Sequence, residues 1–436
     1  MQYGPKIATN GLILCLDAAY DKSFVRTLPI TSNLVMWMDA ADDNSFSYSS
    51  GTTVSQWNDK SGSGYHMTPA TNGPTRSTTL NSKSVVAFTT TQNLRNTSIN
   101  LSSSVLNTVF AVSRYTSGTY GRVISAMSNN WLIGHWSNST ENYYAEGWVR
   151  GGGDNNTNWR FYMGDYNLFS DTANFYVNGS AIVTNNTGGS QGPNGMGFNT
   201  SLYSGEVSNC EIAEVLIYNT VLSTTARQLI HTYLVNKWGL TSTNEGLIYD
   251  VSGNNNTGIF SGGYSFNSSN AGSIVLDGSN DCVVVNNNAS ILSSTAYTKI
   301  AWFYATSFWT GNNIISGGNS GQHAFWLAGA NKLNAGHNSS WSTVVSNTTL
   351  SLNTWYCGAV TFNTSTGWVL YLNGIQENTS ASTTTFTGNG EILVGAFSSN
   401  ANVFTGRIAN VLVYNRVLSA SEIQQHFNTT RARFGI

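Results

Sequence analysis

The sequence predicts an all-β protein made of two related sandwich domains. Short β-branched and aromatic runs, such as NTVFAVSRY, TKIAWFYAT and GWVLYLNGIQ, alternate with clusters of Asn, Gly and Ser, which is the pattern of antiparallel strands joined by turns. The chain has 436 residues, more than one hydrophobic core usually serves, so two domains are expected. Several phrases also occur twice in the same order, which indicates that the domains are two copies of one fold.

A tight hairpin is predicted at the same place in each copy. The phrases FYVNGSAIV and VLYLNGIQE place Asn178-Gly179 and Asn373-Gly374 between strand-like runs. Because Asn and Gly tolerate positive φ angles, these dipeptides favour the two-residue turn of a β-hairpin.

A short helix is predicted at the end of each copy. Residues 222–239 carry apolar side chains at helical spacing, with Ser223 as a candidate N-cap. Residues 418–435 begin with Ser419 and Glu422, spaced as in a capping box. The strand phrases before them, EIAEVLIYNTVLS and RIANVLVYNRVLS, are nearly the same, so each copy ends in a strand followed by a helix.

The phrase LILCLDAAYDKSF near the start is followed by a similar phrase, LVMWMDAADDNSF. The two phrases are too close together for a whole domain to lie between them. The second copy, from residue 246 onward, lacks this opening strand. We therefore predict a discontinuous domain of residues 1–28 plus 246–436, with residues 31–243 inserted into it as a complete copy. The alternative is two domains in a row, with the first phrase a stray N-terminal arm.

Charge and composition argue against several classes of function. Charged residues make up 9% of the chain and its net charge is -2, so we expect no nucleic-acid partner. No apolar run has the roughly 20 residues needed to cross a bilayer, so we expect no membrane insertion. The segment MQYGPKIATNG lacks a signal-peptide pattern, so the chain is expected to accumulate in the cytoplasm. The four cysteines form no CxxC pair and are expected to be buried apolar residues.

Seven phrases resemble the concanavalin A-like lectin/glucanase superfamily, in its laminin G-like jelly-roll branch: GLILCLDAA, WNDKSGSG, SIVLDGSNDCV, NTWYCGAVTFN, VLYLNG, GEILVGAF and GRIANVLVYNRVLSASEIQQHFN. The start ATNGLILCLDAA and the ending FNTTRARFGI are similar to structural proteins of tailed bacteriophages, notably T4-like and cyanobacterial phages. The resemblance covers both copies. It implies two concanavalin A-like jelly-roll sandwiches, with Ca²⁺ and a glycan bound at one rim or concave face in some members.

No catalytic arrangement is found, and we expect the protein not to be an enzyme. Glycosidases use two carboxylates that flank the scissile bond. The glucanase branch of the superfamily carries them as alternating Glu and Asp on one strand, and no such run occurs here. The six histidines are scattered, without an HExxH motif, and no GxSxG motif occurs.

Residues 129–162 are a candidate sugar site. Such sites combine an aromatic platform for the apolar face of a sugar ring with polar groups that bind its hydroxyls. The corresponding tryptophans of the second copy are Trp309, Trp326 and Trp341. The alternative is that alternating strands bury about half of these aromatic residues in the core. The candidate glycan-binding residues of the segment are Trp131, Trp136, Trp148, Trp159, Glu141 and Arg150.

Calcium is the one cofactor that the sequence indicates as a candidate. LDGSND supplies Asp277 and Asp281, and DVSGNNNTG supplies Asp250 among asparagines. Hard oxygen donors in short loops can hold Ca²⁺. The alternative is that these carboxylates cap their own turns. The first copy has AFTTTQN in place of LDGSND, so a calcium site would belong to the second copy only.

We therefore expect a non-enzymatic phage virion surface protein: a head decoration, fibre or tail-associated subunit. Its partners would be other virion proteins of the capsid or tail, and host surface glycans, and it would form a homo-oligomer whose repeated weak contacts gain avidity. It would be assembled in the host cytoplasm and lie on the virion surface. The alternative is a soluble carbohydrate-binding or glycan-processing protein of the lectin/glucanase kind.

Overall fold

A computed structural model describes the chain except for residues 1–6, 21–24, 26, 103–105, 118–119, 190, 286–290, 310, 319–321, 330 and 399–400 and the side chains of 243–245. The chain divides into two compact units. The discontinuous unit consists of Met1–Thr27 and Thr241–Ile436, and the continuous unit is Leu28–Leu240.

In its described residues the continuous unit consists mainly of strands. A ten-stranded sheet has the order β15-β14-β13-β8-β17-β6-β5-β4-β3, with β2 also paired to β17, and a six-stranded sheet has the order β12-β11-β10-β9-β16-β7. The elements are β2 (Leu34–Asp39), β3 (Phe46–Ser50), β4 (Thr53–Trp57), β5 (Thr75–Leu80), β6 (Lys83–Phe88), β7 (Leu94–Asn100), β8 (Asn107–Tyr115), β9 (Ile124–Ser125), β10 (Trp131–Trp136), β11 (Ser139–Ala145), β12 (Trp148–Arg150), β13 (Arg160–Asn167), β14 (Thr172–Val177), β15 (Ser180–Asn186), β16 (Asn194–Phe198), β17 (Cys210–Tyr218) and helix α1 (Thr224–Trp238).

The discontinuous unit has the same kind of architecture. A twelve-stranded sheet has the order β24-β31-β21-β19-β20-β32-β22-β28-β29-β30, with β1 paired to β32 and β18 to β19, and a four-stranded sheet has the order β23-β25-β26-β27. The elements are β1 (Leu12–Asp17), β18 (Ser242–Ile248), β19 (Gly258–Asn267), β20 (Ser273–Asp277), β21 (Cys282–Val285), β22 (Ala296–Ala305), β23 (Asn312–Asn313), β24 (Ile315–Ser316), β25 (His323–Ala328), β26 (Lys332–His337), β27 (Ser340–Val345), β28 (Trp355–Asn363), β29 (Gly367–Leu372), β30 (Ile375–Ser380), β31 (Ile392–Val394), β32 (Thr405–Tyr414) and helix α2 (Ala420–Thr430).

The prediction of a mostly β protein with several antiparallel sheets, two main sandwiches and few helices is confirmed. The long central pairings are antiparallel in both units, as in β17 with β8 and β22 with β32. Aromatic side chains fill the space between the two sheets of the continuous unit. The ring centroid of Tyr143 on β11 lies 5.7 Å from that of Phe175 on β14, and both residues are fully buried.

The first strand of each unit is held by an aspartate in a later loop. In the discontinuous unit β1 pairs with β32, and the Asp250 carboxylate accepts the backbone N–H of Cys15 at 2.9 Å. In the continuous unit β2 pairs with β17, and the Asp59 carboxylate accepts the backbone N–H of Trp37 at 2.8 Å. The two aspartates therefore make the same contact in the two copies of the repeat.

The hairpin predictions are confirmed. The turn between β14 and β15 has φ angles of 50° at Asn178 and 87° at Gly179, and the turn between β29 and β30 has 50° at Asn373 and 77° at Gly374. Positive φ angles at both central residues are those of the tight turn that these dipeptides favour.

The helix predictions are also confirmed. Ser223 caps α1 by accepting the N–H of Ala226, and α1 ends at Gly239, whose φ of 65° is left-handed. Ser419 and Glu422 form a capping box at the start of α2.

The cysteine prediction is also confirmed, because all four cysteines are free and buried. In the described part of the chain, neither helix combines the length and apolar character of a membrane span.

Candidate functional site

A pocket of about 220 Å³ lies against the four-stranded sheet of the discontinuous unit. On β25 the side chains of His323, Phe325 and Leu327 are fully buried, whereas Trp326 between them is partly exposed and lines the pocket. Successive side chains of a strand point to opposite faces, so one face of this sheet serves the core and the other carries the pocket. The lining residues are Gly311, Asn313, Ala324, Trp326, Trp341, Phe397 and Asn402.

Aromatic rings form the walls of the pocket. The indole N–H of Trp326 donates to the backbone carbonyl of Trp341 at 2.9 Å, which ties β25 to β27 through a side chain. The rings of Trp341 and Phe397 meet edge to face, with centroids 5.0 Å apart and planes at 78°. Trp309, 37% exposed, reaches the same place, because a Cβ atom at Gly311 would lie 2.9 Å from two of its ring carbons.

Two amides supply the polar groups of the pocket. Asn313 is buried and fixed: its Nδ2 donates to the carbonyls of Gly311 at 2.9 Å and Asn402 at 3.2 Å, and its Oδ1 accepts from Ser316 at 2.6 Å. Asn402 is exposed, and its side-chain amide has no hydrogen-bond partner among the described residues. The pocket therefore combines a fixed amide at its base with a free amide at its rim.

A second aromatic cluster lies on the six-stranded sheet of the continuous unit. The rings of Trp136 and Trp148 are 5.3 Å apart and tilted by 52°, and the Tyr144 ring meets Trp148 edge to face at 5.0 Å. Trp148 is 42% exposed. The structure thus brings together two of the tryptophans that the sequence indicated as glycan contacts, and that role stays a prediction.

The other candidate residues of this segment do not join that cluster through any described ring contact or hydrogen bond. Trp131 is fully buried in the core. The ring of Trp159 lies 5.0 Å below the guanidinium of Arg114. Glu141 is ion-paired with Arg160, and Arg150, at the end of β12, is half-buried.

The three candidate calcium ligands act as turn caps. Asp250 holds β1, as described above, and Asp277 accepts the N–H of Ser279 at 2.8 Å. One carboxylate oxygen of Asp281 accepts the N–H of Asp277 at 2.9 Å. Burial raises the pKa of Asp281 to about 6. Within the described residues, no group of three or more His, Cys, Asp or Glu side chains could hold a metal ion.

The pocket contains residues that the sequence did not single out. Trp326 and Trp341 were expected as aromatic candidates, but Phe397, Asn313 and Asn402 were not. Asparagine is abundant throughout the chain, so no local signal separates these two from the others. Phe397 ends the phrase GEILVGAF, just after β31 of the twelve-stranded sheet, and its contact with Trp341 of the four-stranded sheet forms only in the folded unit.

Comparison with known proteins supports the expected superfamily for part of the discontinuous unit. Residues 277–424 match the family model of the concanavalin A-like lectin/glucanases superfamily. No curated protein matches the chain in sequence. Neither the family model nor the structures below support a phage structural protein.

Solved structures show low similarity. Domain 4 of AbnA, an extracellular arabinanase from Geobacillus stearothermophilus, in complex with arabinotriose, is 17% identical over 42% of this chain and 91% of that chain, with a TM-score of 0.35. The binding domain of Paraclostridial Mosquitocidal Protein 1 is 20% identical over 44% and 51%, with a TM-score of 0.36. Botulinum neurotoxin type C, whose cell entry depends on interaction with two ganglioside molecules, is 15% identical over 45% and 52%, with a TM-score of 0.34. The alignments span about half of each toxin structure, and at these TM-scores they carry no functional conclusion.

Proposed function

We propose that this protein is a non-enzymatic glycan-binding protein and that the pocket of the discontinuous unit holds one sugar ring. The pocket itself carries the proposal: two indoles and a phenyl ring surround a space of about 220 Å³ that also contains two amides. Aromatic faces stack on the apolar face of a pyranose, and amides bind its hydroxyls.

The size of the pocket suits a single ring. Pockets for drug-sized ligands have volumes of about 300–1,000 Å³, and this one is smaller at about 220 Å³. A ligand here makes few contacts, so we expect weak binding at each site. Several copies in an oligomer would convert weak binding into useful avidity.

The chemistry of the lining favours binding over hydrolysis. The described lining residues supply two amides and no carboxylate. Most glycosidases cleave the glycosidic bond with two carboxyl groups about 5 to 9.5 Å apart. A bound sugar would therefore be held without being cleaved.

A glycan array with the full chain, followed by titration calorimetry with the best ligand, tests the proposal. Trp341→Ala should lower affinity by about tenfold or more, because it removes one aromatic wall. Phe169→Ala is the matched control, because Phe169 is an aromatic residue of the other unit and is 87% exposed. A wild-type protein that binds no glycan, or equal losses in the two variants, would contradict the proposal.

We further propose that this binding takes place on the surface of a phage virion, where homo-oligomers assembled in the host cytoplasm attach to capsid or tail proteins. The similarity of ATNGLILCLDAA and FNTTRARFGI to tailed-phage structural proteins supports it. Mass spectrometry of purified particles tests it. If the protein is absent from the particles, the soluble lectin-like alternative replaces this location.

A further inference from the structure

We propose that the continuous unit contains a second, latent site for a sugar that bears a carboxylate, and that the side chain of Glu206 now occupies the place of the ligand's carboxylate. This inference goes beyond the proposed function, because it concerns the other unit and an acidic class of ligand. It does not require the pocket of the discontinuous unit to bind anything.

Two donors converge on the Glu206 carboxylate. The guanidinium Nε of Arg122 donates to one oxygen, and the indole Nε1 of Trp136 donates to the other at 3.2 Å. Arg122 is 4% exposed, so its charge is almost entirely removed from water. A buried arginine with a second N–H beside it is the arrangement that proteins use to bind carboxylates.

Arg122 has one hydrogen-bond donor that no described residue uses. Its Nη2 donates to the side-chain oxygen of Asn130 at 2.9 Å, which fixes the plane of the guanidinium. Its Nη1 is buried and has no hydrogen-bond partner in the described part of the chain. Because an unpaired buried donor is costly, a ligand with additional oxygens next to its carboxylate would be favoured.

Two exposed aromatic rings lie next to the two donors of the carboxylate. The ring of Trp148, 42% exposed, lies 5.3 Å from that of Trp136. The ring of Tyr203, 45% exposed, lies 5.0 Å from the Arg122 guanidinium. A sugar ring could stack on the exposed indole while its carboxylate takes the place of Glu206. A uronic acid has both features.

The side chain of Glu206 can leave the two donors while its backbone stays in place. Its carboxylate side chain is 31% exposed, so it can turn into solvent. Its backbone is held separately, because the backbone N–H of Arg122 donates to the carbonyl of Glu206 at 3.1 Å. The exchange of carboxylates therefore needs only a side-chain rotation.

The discontinuous unit differs at the matching position. Arg122 and Asn313 each lie just before a short Ile-Ser strand, β9 and β24 respectively. In the continuous unit this position carries the buried cation Arg122, which is paired with the carboxylate of Glu206. In the discontinuous unit it carries the neutral amide of Asn313, which lines the pocket. The difference points to an acidic ligand for the continuous unit and a neutral ligand for the discontinuous unit.

The test measures binding of a galacturonic acid oligomer to the full chain and to its Glu206→Gln variant. A galactose oligomer serves as the matched neutral ligand. Gln keeps the size of Glu206 but removes the charge that competes for Arg122, so the acidic oligomer should bind the variant about tenfold more tightly. Binding of the neutral oligomer should not change. Adding Trp148→Ala to Glu206→Gln should abolish the gain.

Three results would overturn the proposal: no gain for the acidic oligomer, an equal gain for both oligomers, or acetate binding the variant as tightly as the uronic acid. Thermal melting checks that each variant is folded. If Glu206→Gln is unfolded, Glu206→Asp replaces it, because the shorter acid cannot reach both donors and should give a smaller gain of the same sign. Failure of the neutral-sugar proposal would show as no binding by the wild type or as equal losses in Trp341→Ala and Phe169→Ala. Neither result involves Glu206, so the two failures are distinguishable.

Discussion

Glu214 on β17 joins helix α1 to the sheet of the continuous unit. Its carboxylate, 1% exposed, accepts the indole N–H groups of Trp37 and Trp238 and the hydroxyl of Tyr233, each at 2.7 Å. The ammonium of Lys237 lies 2.9 Å away. Three of these four partners belong to α1, so one buried acid receives most of the polar contacts under the helix.

Glu214→Ala should therefore lower the free energy of unfolding by about 3–5 kcal/mol, because it leaves three buried donors without their acceptor and Lys237 with Asp39 as its remaining carboxylate. Asn410 takes the corresponding place in the discontinuous unit, in RIANVLVY, and its Oδ1 has no hydrogen-bond partner in the described residues. Asn410→Ala should accordingly cost much less. Urea unfolding followed by tryptophan fluorescence measures both, and equal losses would show that the Glu214 network is not a major source of stability.

Asp281 gives the discontinuous unit a dependence on pH. Burial raises its pKa from 3.8 to about 6, so the folded state favours the protonated acid. Its contribution to stability is complete below the unfolded pKa and is lost as the pH rises through about 6. The stability of Asp281→Asn relative to the wild type should rise between about pH 4 and about pH 6 and stay level above that. Melting temperatures across that range measure the gain, and a difference that does not change with pH would contradict it.

The first strand of each unit depends on its aspartate clamp. Asp250→Ala removes the acceptor for a backbone N–H of β1, and Asp59→Ala does the same for β2. An unpaired buried N–H costs about 1–3 kcal/mol, so each strand should open more often in its own variant. Hydrogen exchange measured by mass spectrometry should show faster exchange of Leu12–Asp17 in the first variant and of Leu34–Asp39 in the second. Faster exchange of both strands in both variants would mean that the clamps are not local.

Local chemistry explains which elements could be predicted from the sequence. Ser223 begins α1 and Gly239 ends it because a hydroxyl cap and a left-handed residue act within one turn of the chain. The burial of individual aromatic residues could not be predicted in this way. Trp131 and Trp148 belong to the same aromatic-rich segment, yet the first is fully buried and the second is 42% exposed. Which face of a strand meets the core depends on the opposing sheet, and that information is not local.

The pocket also depends on contacts between distant parts of the chain. Its walls come from β25 and β27 of the four-stranded sheet and from the loop after β31, a strand of the twelve-stranded sheet. Trp326 and Trp341 could be nominated because aromatic residues are the usual platform for sugars. Phe397 could not, because it follows a strand of the other sheet and meets Trp341 only in the folded unit.

At the scale of the whole molecule, the two copies of one fold have diverged in charge at one position. The position before β9 carries Arg122, paired with Glu206, whereas the position before β24 carries Asn313. The fold around this position is repeated, so the proposed difference in ligand class would need only a few changed side chains. Under both proposals, the two units of one chain bind different classes of sugar.

The last prediction concerns the folding of each unit without the other. The strands of the ten-stranded and six-stranded sheets all lie within Leu28–Leu240, so this segment should fold alone. Residues 241–436 alone lack β1, whose Leu14 and Leu16 are 0% and 2% exposed, and should lose a buried strand beside β32. Joining residues 1–27 to 241–436 through a Gly-Ser linker should restore cooperative unfolding.

Circular dichroism melts of the three fragments make this comparison. A cooperative transition in residues 241–436 alone, at the same temperature as in the linked fragment, would show that β1 contributes nothing to the unit. A higher melting temperature for the linked fragment than for residues 241–436 alone would show that β1 is a structural part of the discontinuous unit. Because β1 buries apolar side chains and completes hydrogen bonds along β32, we expect the linked fragment to melt at a higher temperature by several degrees.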